Sequence, residues 1–433
     1  MKIVVVGGGS TYTPELIDGF ARLRETLPLT EIVLVDPHQG RRQLLAGVAR
    51  RMLAKQGHPA VVTETDDVAA AAEGAIAVLL QLRVGGQQTR HRDESWPLEC
   101  GCLGQETTGA GGLAKAVRTV PVVLDIADKV RAVNPDAWII DFTNPVGIVT
   151  RALLSHGHKA IGLCNVAIGL QRYFSGLLGV PPERIALDHL GLNHLTWERG
   201  VRLLEVGESA TPTMASPRPG TDLLPSLLVD SGEALAARMR QPVELLRRLE
   251  AIPSYYLRYF YQHDAVVEEQ LGSPTRAEQV AEMEATLLEL YADPAVDEKP
   301  ALLSNRGGEF YSEAAVHLVA SLVSDRGDVQ VVNTLNRGTI PFLPDDFVIE
   351  TPAVITAGGA QPLPQAPVEP RFAGLIAHVA AYEQLALDAA VHGGRDRITD
   401  ALLAHPLVGQ WDLAEKLSDR LIAENAAFLP WAR

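Results

Sequence analysis

The sequence predicts an α/β fold in which an N-terminal doubly wound parallel sheet is followed by a C-terminal α+β domain. Three observations carry that reading. Short β-branched runs alternate with amphipathic stretches over the first 165 residues. The first run ends in a glycine-rich turn, and after Cys164 the texture changes to longer strands and then to helices.

The runs KIVVVGG, EIVLVD, AIAVLLQ, WIIDFTN and AIGLCN read as strands. Between them, PELIDGFARLR, QLLAGVARRMLAKQG and LAKAVRTVPVVLDIADKVRAV carry apolar residues at helical spacing, as helices packed on a sheet do. Past Cys164, IGLQRYFSGLLG reads as a helix and IALDHLGLNHLTWERGVRLLEV as twisted antiparallel strands. Residues 208–222 are rich in Pro, Ser and Thr and read as a solvated loop. Helices resume from about Pro225 to Tyr291, VQVVNTLNRG and FVIETPAVIT read as strands, and FAGLIAHVAAYEQLALDAAV and LAEKLSDRLIAENAAF as closing helices. The division falls near residue 165, giving units 1–165 and 166–433.

At 433 residues the chain exceeds one ordinary core, which agrees with two domains sharing an interface. It is 47% hydrophobic and 21% charged and lacks an unbroken apolar stretch of the length that spans a bilayer, so no membrane role is expected. Met1-Lys2-Ile3 runs straight into the first strand without a signal-peptide pattern, and Cys100, Cys102 and Cys164 are too few for a disulfide framework. A cytoplasmic enzyme is the expectation. The net charge of -15 argues against a nucleic-acid partner, and an anionic small substrate would need a local basic pocket.

The first strand ends in Gly7-Gly8-Gly9-Ser10-Thr11-Tyr12 before a helix, so small residues let the backbone approach a pyrophosphate at a helix N-terminus. Tyr12 replaces the third glycine of the usual fingerprint, and a merely tight turn is the alternative. Asp36, ending the second strand, stands where a carboxylate accepts hydrogen bonds from ribose hydroxyls and repels a 2′-phosphate, which favours NAD; capping the next helix is its other reading. Arg41 and Arg42 keep NADP open. Residues 1–165 are thus expected to be a Rossmann-type NAD-binding domain.

Ligands of open α/β sheets bind beyond the carboxyl ends of the strands, so the polar segments there are the candidates. The segment from Leu82 to Arg90 reads as a polar loop whose arginines could supply forked donors to a phosphate, or as plain solvated surface. Gly104-Gln105-Glu106-Thr107-Thr108-Gly109 sets an acid among small polar residues, or forms a capping turn before a helix from about Gly112. Asn144-Pro145 puts an amide near the expected nicotinamide. Cys164-Asn165 and, thirty residues later, Asn193-His194 offer a thiolate and an imidazole, a partial transition-metal site that leaves positions for substrate oxygens. A core cysteine and a hydrogen-bonded histidine are the other reading.

Taken together, GGGSTYTPEL, LGQETTG, DFTNPVG, LCNV, GLNHL, YLRYF, RGGEFYSEAA and LNRGTIPFLPDD resemble glycoside hydrolase family 4 in order and spacing along nearly the whole chain. The resemblance implies a fold similar to lactate and malate dehydrogenases, and a glycosidase that uses NAD and a divalent metal, usually manganese, in place of paired carboxylates. Cys164-Asn165-Val166 looks like the 6-phospho-β-glucosidase subgroup, although Ala167 stands where that subgroup usually has proline. The substrate implied is a small phosphorylated glycoside; a 6-phospho-α-glucoside, an α-galactoside or an unphosphorylated β-glucoside is the alternative. A homodimer or homotetramer is implied by relatives.

The chemistry implied is transient oxidation. The hydrogen on carbon 2 of a glucoside is not acidic, but a ketone at carbon 3 makes it so; the aglycone then leaves carbon 1, water adds, and the same NADH returns its hydride. By motif match Tyr256 is the carbon 2 base and Glu106 modulates its basicity. Arg90, Asn144, Asn165 and Arg276 bind substrate, and Cys164 and His194 hold the metal. Gly7, Gly8, Gly9, Ser10, Thr11 and Asp36 bind NAD. The four aromatics around Tyr256 also fit a helix stripe serving as core, and Arg306 reads as a turn anchor. Where relatives carry aspartate after the cysteine, that residue is thought to protonate the leaving group; Asn165 cannot. The rivals are a lactate or malate type dehydrogenase and a non-catalytic NAD-binding regulator.

Overall fold

A computed structural model describes residues 1–211, 219–308 and 310–432. Thirteen strands among them join one sheet: β1 (Lys2–Val6), β2 (Glu31–Val35), β3 (Val61–Thr65), β4 (Ala77–Leu80), β5 (Trp138–Asp141), β6 (Ala160–Gly162), β7 (Ile185–Leu192), β8 (Leu195–Leu203), β9 (Thr221–Asp222), β10 (Ile252–Pro253), β11 (Asp328–Leu335), β12 (Val348–Thr356) and β13 (Gly359–Pro362). Their order is β10-β8-β7-β12-β11-β6-β5-β4-β1-β2-β3, with β13 on β12 and β9 on β8.

From β3 to β6 every pair is parallel and the order is doubly wound. Beyond β6 the pairs are antiparallel, starting with β11. The inner parallel strands carry mostly apolar, buried residues because helices cover both faces. Alternation sends Val4 and Val6 of β1 into one core and Ile3 and Val5 into the other. Burying each such side chain contributes about 1.5–3 kcal/mol. The 25-residue helix Gly109–Val133 lies on one face and packs against the long C-terminal helix Pro370–His392, which ties the end of the chain to the first unit. Among the described residues, no helix is long and apolar enough to cross a membrane.

Several local expectations are corrected. β3 carries no continuous apolar run because it is the sheet edge, half exposed along its length. The expected polar loop after β4 turns helical at Gly86–Glu99, started by Gly85 in a left-handed conformation (φ 86°) that lets the chain reverse into the helix. The helix expected from Gly112 begins at Gly109, and a further closing helix occupies Arg395–Ala404. Within 208–222, Thr221–Asp222 pairs with β8 as a short strand, while 212–218 lie outside the described residues.

Candidate active site

A cleft of about 1180 Å³ runs along the carboxyl ends of the parallel strands. One end is walled by the turn after β1. Gly7 (φ 87°) and Gly8 donate their N–H groups to Val35 O, and a Cβ on Gly7 would stand 2.6 Å from Gln81 O. Gly9 donates to Asp36 Oδ2 at 3.1 Å, and a Cβ there would meet the Asp36 carboxyl at 2.7 Å. Only glycine allows this close approach of backbone, and the helix Thr13–Arg22 starts just beyond it, so the turn fits a dinucleotide pyrophosphate. Gly7, Gly9, Ser10 and Asp36 line the cleft. Gly8 and Thr11 do not; Thr11 is fully buried and its hydroxyl donates to Glu284 at 3.1 Å.

The two arginines beside Asp36 are engaged elsewhere. Arg41 Nε donates to Gly9 O at 2.8 Å, while Arg42 is held by Glu64 at 2.6 Å and also reaches Asp36 O. Arg42 is thus paired with Glu64, while Arg41 still lines the cleft beside the Asp36 carboxylate.

Deeper in the cleft lies a buried charge cluster. Glu106 receives Arg83, Arg90 (Nε at 3.1 Å) and Lys115, and Arg90 also binds Glu94 at 2.7 Å. Burial alone would push the Glu106 carboxyl up, but its three cations together hold it well below the usual range. Three basic side chains face two carboxylates here, and burial, opposed by Glu106 and aided by Arg83 and Arg90, lowers the Lys115 pKa to about 7, so the pocket of this acidic chain is balanced to singly positive near neutral pH. Arg276, exposed on the rim, donates to the backbone oxygens of Asn305 and Arg306. Asn144 and Asn165 line the same wall, and Asn144 Oδ1 is buried without a partner, an acceptor left for a ligand hydroxyl.

Tyr256 closes the inner end. Its ring stacks on His194, with centroids 3.5 Å apart and planes 9° from parallel. Burial, then the nearby Cys164, Tyr259 and Glu106, push its phenol well above the ordinary value. Tyr256 lines the cleft with His194 stacked on its ring, and Cys164, next to the cleft-lining Asn165, reaches the wall of a second cavity of about 430 Å³. His194 sits in the β7–β8 turn at φ 65°, with Nδ1 on the Thr107 hydroxyl at 3.2 Å, and burial lowers its pKa to about 4. The ring is neutral, as a ligand must be. Cys164 caps the helix Asn165–Leu178. Burial and Glu350 push its thiol up, while the N–H groups of Val166 and Asn165 and the Asn193 amide favour the thiolate. A soft sulfur and a neutral imidazole suit a divalent transition metal, and two protein donors leave positions for substrate oxygens. Among the described residues no group of three or more His, Cys, Asp or Glu stands together as a metal site.

Sequence reasoning missed Glu94, Lys115 and Glu284. Glu94 falls four residues after Arg90 on one helix face, a spacing that could have signalled the pair. Lys115 stands among small and apolar residues in AGGLAKAV, where a lone cation signals a buried partner. Glu284, which gathers Thr11, Gln87 and Arg306, is brought in from a helix nearly 280 residues on and left no local sign.

Comparison with known proteins agrees in extent along the chain. Residues 2–180 match the family described as family 4 glycosyl hydrolase, and residues 189–408 match the family 4 glycosyl hydrolase C-terminal domain. A probable 6-phospho-β-glucosidase of Bacillus subtilis is 37% identical over 440 residues, covering 99% of this chain and 97% of the relative. The 6-phospho-β-glucosidase of Thermotoga maritima, solved with manganese, NAD+ and glucose 6-phosphate, superposes with a TM-score of 0.90 at 32% identity and covers 99% of both chains. A lactate dehydrogenase of Cryptosporidium parvum, at 14% identity with a TM-score of 0.53 over 91% of this chain and 98% of that one, shares the fold alone.

Proposed function

The chain belongs to family 4 of the glycosyl hydrolases, and from that premise we propose that it hydrolyses 6-phospho-β-glucosides using NAD and a divalent metal, manganese foremost. The observation that carries the reading is one cleft that joins the glycine turn to a buried basic cluster and ends on Tyr256. A dinucleotide on the turn would have its nicotinamide directed at a sugar held by Arg90, Asn144, Asn165 and Arg276. The division of labour follows the chain, with 1–165 carrying the cofactor and 166–433 completing the sugar and metal site.

When bound, the two groups supply reversible hydride storage and Lewis-acid polarisation of a sugar oxygen. The metal would be held by Cys164 and His194. Oxidation at carbon 3 acidifies the hydrogen on carbon 2, and Tyr256 takes that proton. Burial holds the phenol up; Arg90, within electrostatic reach, and the positive charge of a bound metal would act against that push. Glu106 sets how much of the Arg90 charge reaches the phenol, since it neutralises the same guanidinium. Loss of the aglycone from carbon 1, addition of water and return of hydride complete a hydrolysis with no net oxidation.

The basic side chains of Arg83, Arg90 and Lys115 gathered in the cleft support an anionic sugar. A phosphorylated sugar stays inside the cell, so we place the enzyme in the cytoplasm. Assembly into a homodimer or homotetramer is proposed on the family resemblance. Hydrolysis in D2O tests the scheme. Deuterium at carbon 2 of the released glucose 6-phosphate is expected, and a product with only its original hydrogen there would rule out proton abstraction at that carbon.

A further inference from the structure

The sheet does more than carry Cys164 and His194 on separate strands. In the ladder, Gly162 of β6 stands opposite Asn333 of β11, Asn333 opposite Glu350 of β12, and Glu350 opposite Gly191 of β7. One row therefore crosses four strands. Cys164 follows two residues after one end of it, and His194 three residues after the other.

The row is packed to contact. A Cβ on Gly162 would stand 2.2 Å from Thr150 Oγ1 and 2.9 Å from Asn333 Cβ. A Cβ on Gly191 would stand 2.0 Å from Leu195 O. Neither glycine could carry a side chain, so the backbone at both ends of the row is held by its neighbours.

Glu350, 1% exposed, is the polar centre of this row. Its Oε1 faces His189 Nε2 at 2.9 Å, and its Oε2 accepts from Asn193 Nδ2 at 2.7 Å and Asn333 Nδ2 at 3.1 Å. The Asn193 amide in turn donates to the Cys164 sulfur. His189 also binds Glu198 with its other nitrogen. Two buried carboxylates therefore share one imidazole, and even with that ring protonated one negative charge is uncompensated. A buried, uncompensated anion is costly unless a cation sits nearby. Nothing in the hydrolysis scheme above uses this cluster.

We propose that Glu350 and Asn193 are positioning residues for the metal: Glu350 supplies the balancing charge, and Asn193 orients the Cys164 sulfur through its amide. The inference rests on the reading of Cys164 and His194 as metal ligands. Partners of this kind behind first ligands usually set affinity by about 10- to 100-fold.

The test is Mn2+ binding to the full chain with saturating NAD, measured from the free Mn2+ resonance, together with the sulfur-to-metal absorption of the Co2+-loaded protein. Glu350→Gln and Asn193→Ala are each expected to weaken Mn2+ binding by about 10- to 100-fold. NAD affinity and the cooperative melt should stay unchanged, and the Co2+ absorption should shift in energy or lose intensity. A merely structural role would leave that absorption alone. Asn193→Ala leaves the His189–Glu198–Glu350 cluster in place, so it remains decisive if Glu350→Gln does not fold. Wild-type Mn2+ affinity in either folded variant overturns the proposal. Failure of the unmodified chain to bind Mn2+ overturns the ligand assignment itself, and this proposal with it.

Discussion

The His194 imidazole and the Tyr256 phenol lie face to face, with ring centroids 3.5 Å apart. Tyr256 belongs to the cleft wall, so its ring covers one face of the His194 imidazole on the cleft side. Tyr256→Phe keeps that stack but loses the group that takes a proton. Its kcat should fall by about 10²–10⁴ while the Mn2+ association rate stays within a few fold. Tyr256→Ala removes the cover, and its Mn2+ association, followed by stopped flow, should be faster than in the unmodified chain. Equal association rates in all three proteins would mean that the ring does not gate the site.

Asp36 is the residue expected to govern cofactor choice, since its carboxylate lines the cleft while Arg42 is held by Glu64 and Arg41 gives its Nε to Gly9 O. A 2′-phosphate would face that carboxylate. Binding measured by calorimetry should favour NAD over NADP by about 100-fold or more, and Asp36→Ser should narrow the ratio by at least about 10-fold, mainly by improving NADP. An unchanged ratio would show that Asp36 does not meet the ribose.

Glu106 is the hub of three cations, and its carboxyl is held well below the usual range against the effect of burial. Glu106→Gln leaves Arg83, Arg90 and Lys115 facing one another in the cleft. Thermal melts at neutral pH should report a loss of about 3–5 kcal/mol. Because the native pKa is depressed, this contribution is present above the ordinary carboxylate range and disappears as the pH falls through the native value, so the variant and the parent should converge in acid.

His189 gives the opposite sign. Burial alone would lower its pKa, but Glu198 and Glu350 raise it from 6.5 to about 10. The folded chain keeps a proton that the unfolded chain releases, so the stabilisation is fully present below 6.5 and is lost as the pH rises through about 10. Stability should decline across that window with a slope of up to about 1.4 kcal/mol per pH unit from this group. His189→Gln should flatten the decline, and a parent slope equal to the variant's would remove His189 as its cause.

Much of the parallel sheet was legible because Val4, Val33, Val78 and their neighbours are buried on both faces and leave unbroken apolar runs. β3 was illegible for the converse reason, as an edge strand with one side in water. The glycine turn could be read because close backbone approach demands residues without side chains, and Asp36 because it ends a strand beside that turn. Glu350 and Glu284 escaped notice because their meaning comes from partners 17 to 273 residues away, as with Asn333 and Thr11. The stacking of His194 on Tyr256 escaped for the same reason, since Tyr256 follows β10 and His194 lies between β7 and β8.

The measurement that bears most directly on the central claim is hydrolysis of p-nitrophenyl β-glucoside 6-phosphate by protein stripped of cofactor and metal, with NAD and Mn2+ supplied together or singly and with the α-linked and unphosphorylated sugars alongside. Turnover of the β-linked phosphate that needs both additions, with no accumulation of NADH, is the predicted result. Full turnover by the stripped protein without NAD would contradict the account.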